Sequence, residues 1–281
     1  MSDPREIFAN GRVAHQSLQG QVDSTAFVTG TKMRVAKPVL GIFASPNAFK
    51  LERQAIYGDP VTVLEIDDGF AFGRCESNGY CGYLPEHGLA DWAEPTHKVV
   101  ARSSFGFKAP DIKSPDPIAL SFGSRLVVVG EDNGLVKTAD GFYMPKSHLA
   151  SASSTSPDLV ATARLFMGVP YLWGGNSAFG VDCSGLVQAA FHAAGLPCPG
   201  DSDQQAKMDG NALDASENLS PGDLLFWAGH VAMVSAPGQI IHANGHHMAV
   251  VEEDLGAAVH RISKEAGPIT RRLRVNRNSN G

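Results

Sequence analysis

The chain has 281 residues, 43% hydrophobic and 19% charged, enough for one large domain or two to three small ones of roughly 100–150 residues each. A formal net charge of −6 argues against nucleic acid or an anionic membrane surface as a partner. The four cysteines, Cys75, Cys81, Cys183 and Cys198, form neither a C-x-x-C pair nor a zinc-ribbon spacing, and their density argues against a disulfide framework.

The N-terminus, Met1-Ser2-Asp3-Pro4-Arg5-Glu6, is polar at once, and no run reaches the length of a membrane span. These features predict a cytoplasmic protein with reduced thiols. Residues 1–25 read as an arm that packs on a later domain. From Ala26 the pattern turns to short β runs, Thr62–Ile66, Phe70–Phe72 and Tyr80–Leu84, with turn signals at Asp67-Asp68-Gly69 and Ser77-Asn78-Gly79. They predict a small antiparallel barrel.

A repeat follows. Tyr57-Gly58 through Asp68-Gly69 aligns without a gap on Phe122-Gly123 through Asn133-Gly134. Asn78-Gly79-Tyr80 is echoed by Asp140-Gly141-Phe142, Tyr83-Leu84-Pro85 by Tyr143-Met144-Pro145, and Leu89 by Leu149. Two copies of one β module, over 26–95 and 96–150, are the simplest account. The spacing and the closing aromatic-apolar-Pro element resemble bacterial SH3-like modules, which recognise or position rather than catalyse.

The Ser/Ala/Thr run over 151–156 is the clearest linker. A helix is predicted over 157–167, with Leu159, Ala163 and Phe166 on one face. A Gly-rich turn, Trp173-Gly174-Gly175, then leads to Asp182-Cys183-Ser184-Gly185. Apolar residues at Leu186, Val187, Ala190, Phe191 and Ala194 describe a helix face, stopped by Gly195 and Pro197. Asp182 is the predicted N-cap, so Cys183 falls in the first turn, where free N–H groups and the helix dipole favour a thiolate over a thiol. Most free cysteines are inert packing, but this placement selects Cys183 as a nucleophile candidate.

Asp223–Trp227, His230–Val234 and Gln239–Ala243, separated by Ala228-Gly229 and Pro237-Gly238, read as an antiparallel meander, with a late strand over Arg271–Val275 and a frayed tail beyond it. A helix bearing the nucleophile followed by a sheet makes residues 157–275 an α+β domain. With the hairpin centred near Ala236, His230 and His242 share one face, their Cβ atoms roughly 5–8 Å apart. One histidine can then serve Cys183 as base while the other orients it. The chain holds ten histidines, and His246 and His247 read as solvated loop residues. A zinc site from Cys183, His230 and His242 is the rival reading; it lacks the local ligand pair most such sites contain, and no metal or cofactor is expected. Trp173 reads as packing, and Gly222-Asp223 as a structural turn.

The blocks Pro170-Tyr171-Leu172-Trp173-Gly174-Gly175, Asp182-Cys183-Ser184-Gly185-Leu186-Val187, Pro221-Gly222-Asp223-Leu224-Leu225-Phe226, Gly229-His230-Val231-Ala232-Met233-Val234 and Ile241-His242-Ala243 occur in this order. Together they resemble the NlpC-type cell-wall peptidases of papain-like fold. The resemblance implies Cys183 as nucleophile, His230 as base and His242 as third polar residue, with Tyr171, Asp182 and Ser184 contacting substrate. It also implies cleavage between γ-D-glutamate and a diamino acid in peptidoglycan stems. Two SH3-like modules ahead of such a domain resemble the members that take free stem peptides. On that likeness Glu52, Tyr80 and Tyr83 are candidates for the module's share of the substrate site; Tyr80 and Tyr83 serve as well in the barrel core or rim.

The leading expectation is therefore a cysteine peptidase acting on peptidoglycan-derived peptides with a free N-terminus, without nucleic acid, membrane or obligatory protein partner. A thiol amidase or acyltransferase on another amide or ester is the second reading. A peptide-binding adaptor built on the SH3-like pair is the third, and it leaves the cysteine and the two histidines without a purpose.

Overall fold

Short strands joined by tight turns dominate the first half of the chain, and helices enter only after the Ser/Thr linker. The computed structural model describes residues 3–275, and the chain divides between Ser154 and Thr155 into two units. The tail expected over 276–281 lies outside the described residues.

In the N-terminal unit the first barrel is a five-stranded sheet in the order Tyr80–Pro85, Phe70–Cys75, Pro60–Asp67, Thr31–Val35, Leu89–Asp91, with a hairpin of Val39–Ile42 and Arg53–Ile56 beside it. Val35, Leu40, Ile42, Val61, Val63 and Leu84 fill its interior. The turn read at Asp67-Asp68-Gly69 carries left-handed backbone at Asp68 (φ 47°) and Gly69 (φ 76°), the twist a two-residue hairpin needs. The second copy repeats it at Asn133 (φ 48°) and Gly134 (φ 75°), so the repeat is structural as well as sequential. The 3₁₀ turns Glu86–Gly88 and Lys146–His148 repeat likewise before Leu89 and Leu149.

The arm packs on the barrel that follows it: Phe8 and Val13 form a small core with Phe72 and Cys81. Its strand Val13–His15 runs parallel to Ala26–Val28. Asn10 and Arg12 both bind Glu65.

The two barrels are fused. Tyr57 lies in the core of the second barrel with Val99, Leu120, Leu126, Val136 and Met144. Its hydroxyl donates to Asp140, which also accepts from Arg34 at 2.6 Å. The Arg125 amide donates to the Tyr57 carbonyl at 2.9 Å. Gly58 (φ 82°) is required there, since a Cβ would stand 2.1 Å from the Arg125 carbonyl oxygen.

The C-terminal unit opens with α1 (Leu159–Leu165), capped by Asp158, and Leu159, Ala163 and Phe166 are all buried, as the pattern predicts. Helix α2 (Cys183–Ala193) follows, then the single turn α3 (Ser202–Gln205), a segment too short to type from sequence. Six strands make one sheet: β1 (Asn211–Ala212), β2 (Leu224–Trp227), β3 (His230–Ala236), β4 (Gln239–Asn244), β5 (Ala249–Asp254) and β6 (Arg271–Arg274), in the order β1-β6-β2-β3-β4-β5. The predicted meander is β2-β3-β4, and the late strand is β6. Helix α4 (Leu255–Ala266), between β5 and β6, packs Ala258, Val259 and Ile262 on Leu225, Trp227, Ala232, Val234 and Ile240. Helices α1 and α2 pack on each other and on β3 and β4. Asp223 accepts from the Ser220 amide and pairs with Arg274 at 2.6 Å, the structural turn its position suggests. Among the described residues no helix is long and apolar enough to cross a membrane.

Candidate active site

Cys183 is the first residue of α2, and the Asp182 side chain caps that helix by accepting from the Gly185 amide at 2.7 Å. The same carboxylate accepts from the Ser184 hydroxyl at 3.0 Å and, through its other oxygen, from the Gly174 amide at 3.0 Å. One buried carboxylate thus ties the Gly-Gly turn to the first turn of the helix. The turn itself closes with Gly175 donating to Leu172, and Asp182 donating to Gly175. From the other side, the buried amide of Gln205 donates to the carbonyls of Ser184 and Pro199, at 2.9 and 3.0 Å. The helix is more deeply set than a one-faced pattern requires: every residue from Cys183 to Gln188 is buried. Cys183 itself is 7% exposed. The four cysteines form no disulfide.

The histidines are in direct contact. His230 Nε2 and His242 Nδ1 stand 2.8 Å apart, with ring centroids separated by 5.0 Å. Their shared face depends on a detail the sequence does not show. The turn lies at Pro237-Gly238, not Ala236, with Ala236 opposite Gln239; that register would set the two rings on opposite faces. A bulge at Ser235 restores alternation, giving Val234 opposite Ile240 and Met233 opposite Ile241. Counting on, Ala232 opposes His242, and His230 sits on the diagonal.

The pair is followed by a carboxylate. His242 Nε2 is 2.7 Å from Glu253 Oε1 on β5, and Glu253 receives both guanidinium nitrogens of Arg261 on α4, at 2.7 and 2.5 Å. Arg261, then the hydrogen bond from His242, hold the Glu253 carboxyl down at about 2 against the cost of partial burial. Burial, then the charges of His242 and Arg261, push the His230 imidazolium down to about 3, and burial lowers His242 despite Glu253. At neutral pH the chain is therefore Arg261⁺, Glu253⁻ and two neutral imidazoles. Trp227, itself buried, lies against His230 at 5.7 Å between centroids. A neutral His230 has a lone pair with which to take a proton, the first requirement of a general base.

The structure thus brings His230 and His242 together and joins Asp182 to Ser184. Cys183 meets the histidines at the level of elements, its helix packing on the two strands that carry them. Tyr171 begins the segment ahead of the nucleophile, its amide donating to Met248 at 2.9 Å. Trp173, read as packing, is instead 56% exposed. His246 and His247 are exposed loop residues, as expected. In the N-terminal unit, Tyr80 is buried in the first barrel's core, while Tyr83 accepts from Asn10 at 3.1 Å and packs on Phe72. Glu52 is half-buried beside Lys50, at 3.8 Å. Among the described residues no cluster of three or more His, Cys, Asp or Glu is placed to hold a metal. Glu253 and Arg261 are the residues sequence reasoning missed.

A Bacillus cereus relative, "Gamma-D-glutamyl-L-lysine dipeptidyl-peptidase", is 32% identical over 233 residues, 70% of this chain and 68% of the relative. Residues 168–262 match the NlpC/P60 family. The chain belongs to the NlpC/P60 family. Residues 42–89 match the bacterial dipeptidyl-peptidase Sh3 domain, so the SH3-like likeness of the first module holds. A Bacillus subtilis relative of the same name is 31% identical over 220 residues, 69% of this chain and 72% of that protein. The crystal structure of an NlpC/P60 family protein from Bacillus cereus superposes with a TM-score of 0.73 at 22% identity, covering 87% of this chain and 99% of that one, which shows a common fold. The NlpC/P60 span contains Cys183, His230, His242, Glu253 and Arg261. The protein is thus a cysteine-type peptidase of papain-like fold preceded by an SH3 region.

Proposed function

We propose that this peptidase hydrolyses the γ-D-glutamyl–diamino acid bond of free peptidoglycan stem peptides, during turnover of such peptides. The observation that carries the chemistry is the neutral His230–His242 pair, His230 half-buried and His242 buried, on the strands against which the Cys183 helix packs. The substrate rests on the two Bacillus relatives named for a γ-D-glutamyl-L-lysine bond. In the proposed reaction His230 takes the thiol proton as Cys183 Sγ attacks the scissile carbonyl. The tetrahedral intermediate collapses as His230 returns that proton to the leaving amine, and water then cleaves the thioester. His242 fixes the ring of His230.

Selection for a free N-terminus is assigned to Asp182, a buried carboxylate adjoining the nucleophile. A peptide whose first residue is amide-linked lacks the ammonium charge, and with it a charge-assisted hydrogen bond added to those that Gly174, Ser184 and Gly185 already make to this carboxylate. The test is a panel of synthetic stem peptides, free and N-acetylated, digested by the full chain and read by mass spectrometry. Acetylation is expected to lower kcat/KM by roughly 100-fold, about 3 kcal/mol. Equal rates on both forms would remove the free-amine assignment, and cleavage of none would remove the stem-peptide reading.

A further inference from the structure

The hydrogen bonds around the histidine pair continue in one direction, through His242 to Glu253 and on to Arg261. We infer that Glu253, held by Arg261, is a positioning residue that dictates the tautomers of both histidines and so decides which nitrogen of His230 is the base. The role assigned to His230 rests on the thiol-peptidase reading; the tautomers themselves do not.

A carboxylate is an acceptor only, so at 2.7 Å His242 Nε2 must carry its proton toward Glu253. His242 Nδ1 is then a lone pair, and at 2.8 Å it can only accept, which places the His230 proton on Nε2. His230 Nδ1 is left unprotonated and available to a thiol. One fixed charge at the far end therefore propagates through two rings. The opposite arrangement has a ready supporter. The Asn244 amide nitrogen stands 3.0 Å from the same His242 Nε2 and would donate to it if that nitrogen were bare. That state sets a ring lone pair against an ionised carboxylate at hydrogen-bond distance, so the charged partner prevails over the neutral amide. Arg261 secures this by gripping both carboxylate oxygens, which keeps Glu253 ionised and in place. The other charged or titratable groups around the relay are His247, beyond β4, near His242, and Glu265, one turn further along α4, near Arg261. The two carboxylates, Glu253 and Glu265, favour the charged guanidinium.

The test uses the full chain labelled with ¹⁵N-histidine, at pH 7, with long-range ¹H–¹⁵N correlation and assignment by the variants His230→Gln and His242→Gln. Both rings are expected as the Nε2–H tautomer. A wild-type His242 protonated on Nδ1 would overturn the inference without any Glu253 variant being made, so it stays testable should that variant fail to fold. In Glu253→Gln the amide of the new side chain and Asn244 both offer a donor to Nε2, and the His242 tautomer is expected to invert. With it kcat should fall roughly 10–100-fold while KM holds, the range for outer partners that orient a functional imidazole in metal sites. Glu253→Asp, which keeps the charge, should recover the native tautomer and part of the rate. A Glu253→Gln protein with native tautomers and wild-type kcat would sink the proposal. Failure of the peptidase reading shows itself separately, as undiminished turnover in Cys183→Ala.

Discussion

At the scale of single residues, the site is one thiol and a relay of neutral imidazoles ending in a fixed ion pair. Cys183→Ala is expected to abolish turnover and leave the fold intact, because it removes one sulfur from a helix already capped by Asp182. His230→Ala should be nearly as severe, and His242→Gln should retain a measurable fraction; steady-state rates on a cleaved stem peptide check all three. Cys183→Ala turnover near that of the wild type would dismiss the assignment. The same histidines impose an acid limit on stability. His230 titrates near 6.5 in the unfolded chain and at about 3 in the folded one, so between those values the unfolded state binds a proton that the native state refuses. Stability is full above pH 6.5 and falls as the pH drops through that window, by up to about 1.4 kcal/mol per pH unit for this group. Glu253, depressed from 4.5 to about 2, adds a loss of the same sign at lower pH. Calorimetry of the full chain across pH 7 to 4 should show the unfolding temperature falling; a flat profile would mean the ring is hydrated.

Among elements, the Asp182-Cys183-Ser184-Gly185 segment shows why a short string can be so informative. A Cβ on Gly185 would stand 2.3 Å from the Gly175 carbonyl oxygen, so the first turn of α2 seats against the Gly-Gly turn only because nothing projects there. Gly185→Ala is expected to cost about 1–3 kcal/mol, the range for overpacking, and to lower kcat by shifting Cys183; a melt and a rate on the same preparation test both, and an unchanged protein would show the turn to be pliable. Local signals of this type made α1, α2, the Asp182 cap and the meander legible. What stayed hidden is non-local. The Ser235 bulge leaves no trace in residue type, and without it alternation counted from the true turn would separate the histidines. Strand β5 and helix α4 had signals, in Ala249-Val250-Val251 and in an Asp254 cap before Leu255, Ala258, Val259 and Ile262. Glu253 had none, because a carboxylate near a strand end is ordinary until the fold puts an imidazole beside it.

For the molecule as a whole, each unit has its own core, yet the barrels inside the first unit do not divide as the repeat suggests. Tyr57 belongs to the first copy by sequence and to the second copy's core by packing. Tyr57→Ala should therefore destabilise the N-terminal unit by about 3–5 kcal/mol, the range for emptying a large aromatic site. A fragment spanning 96–154 should give the circular dichroism of an unfolded chain, whereas 3–154 folds; a cooperative melt from the shorter fragment would refute this. The fused pair also bears on how such a chain can be inherited. A recombination that carried off either barrel alone would strand an aromatic ring on one side and an unfilled core on the other. The unit of exchange is therefore the duplicated pair, and the two copies are bound to diverge in each other's company.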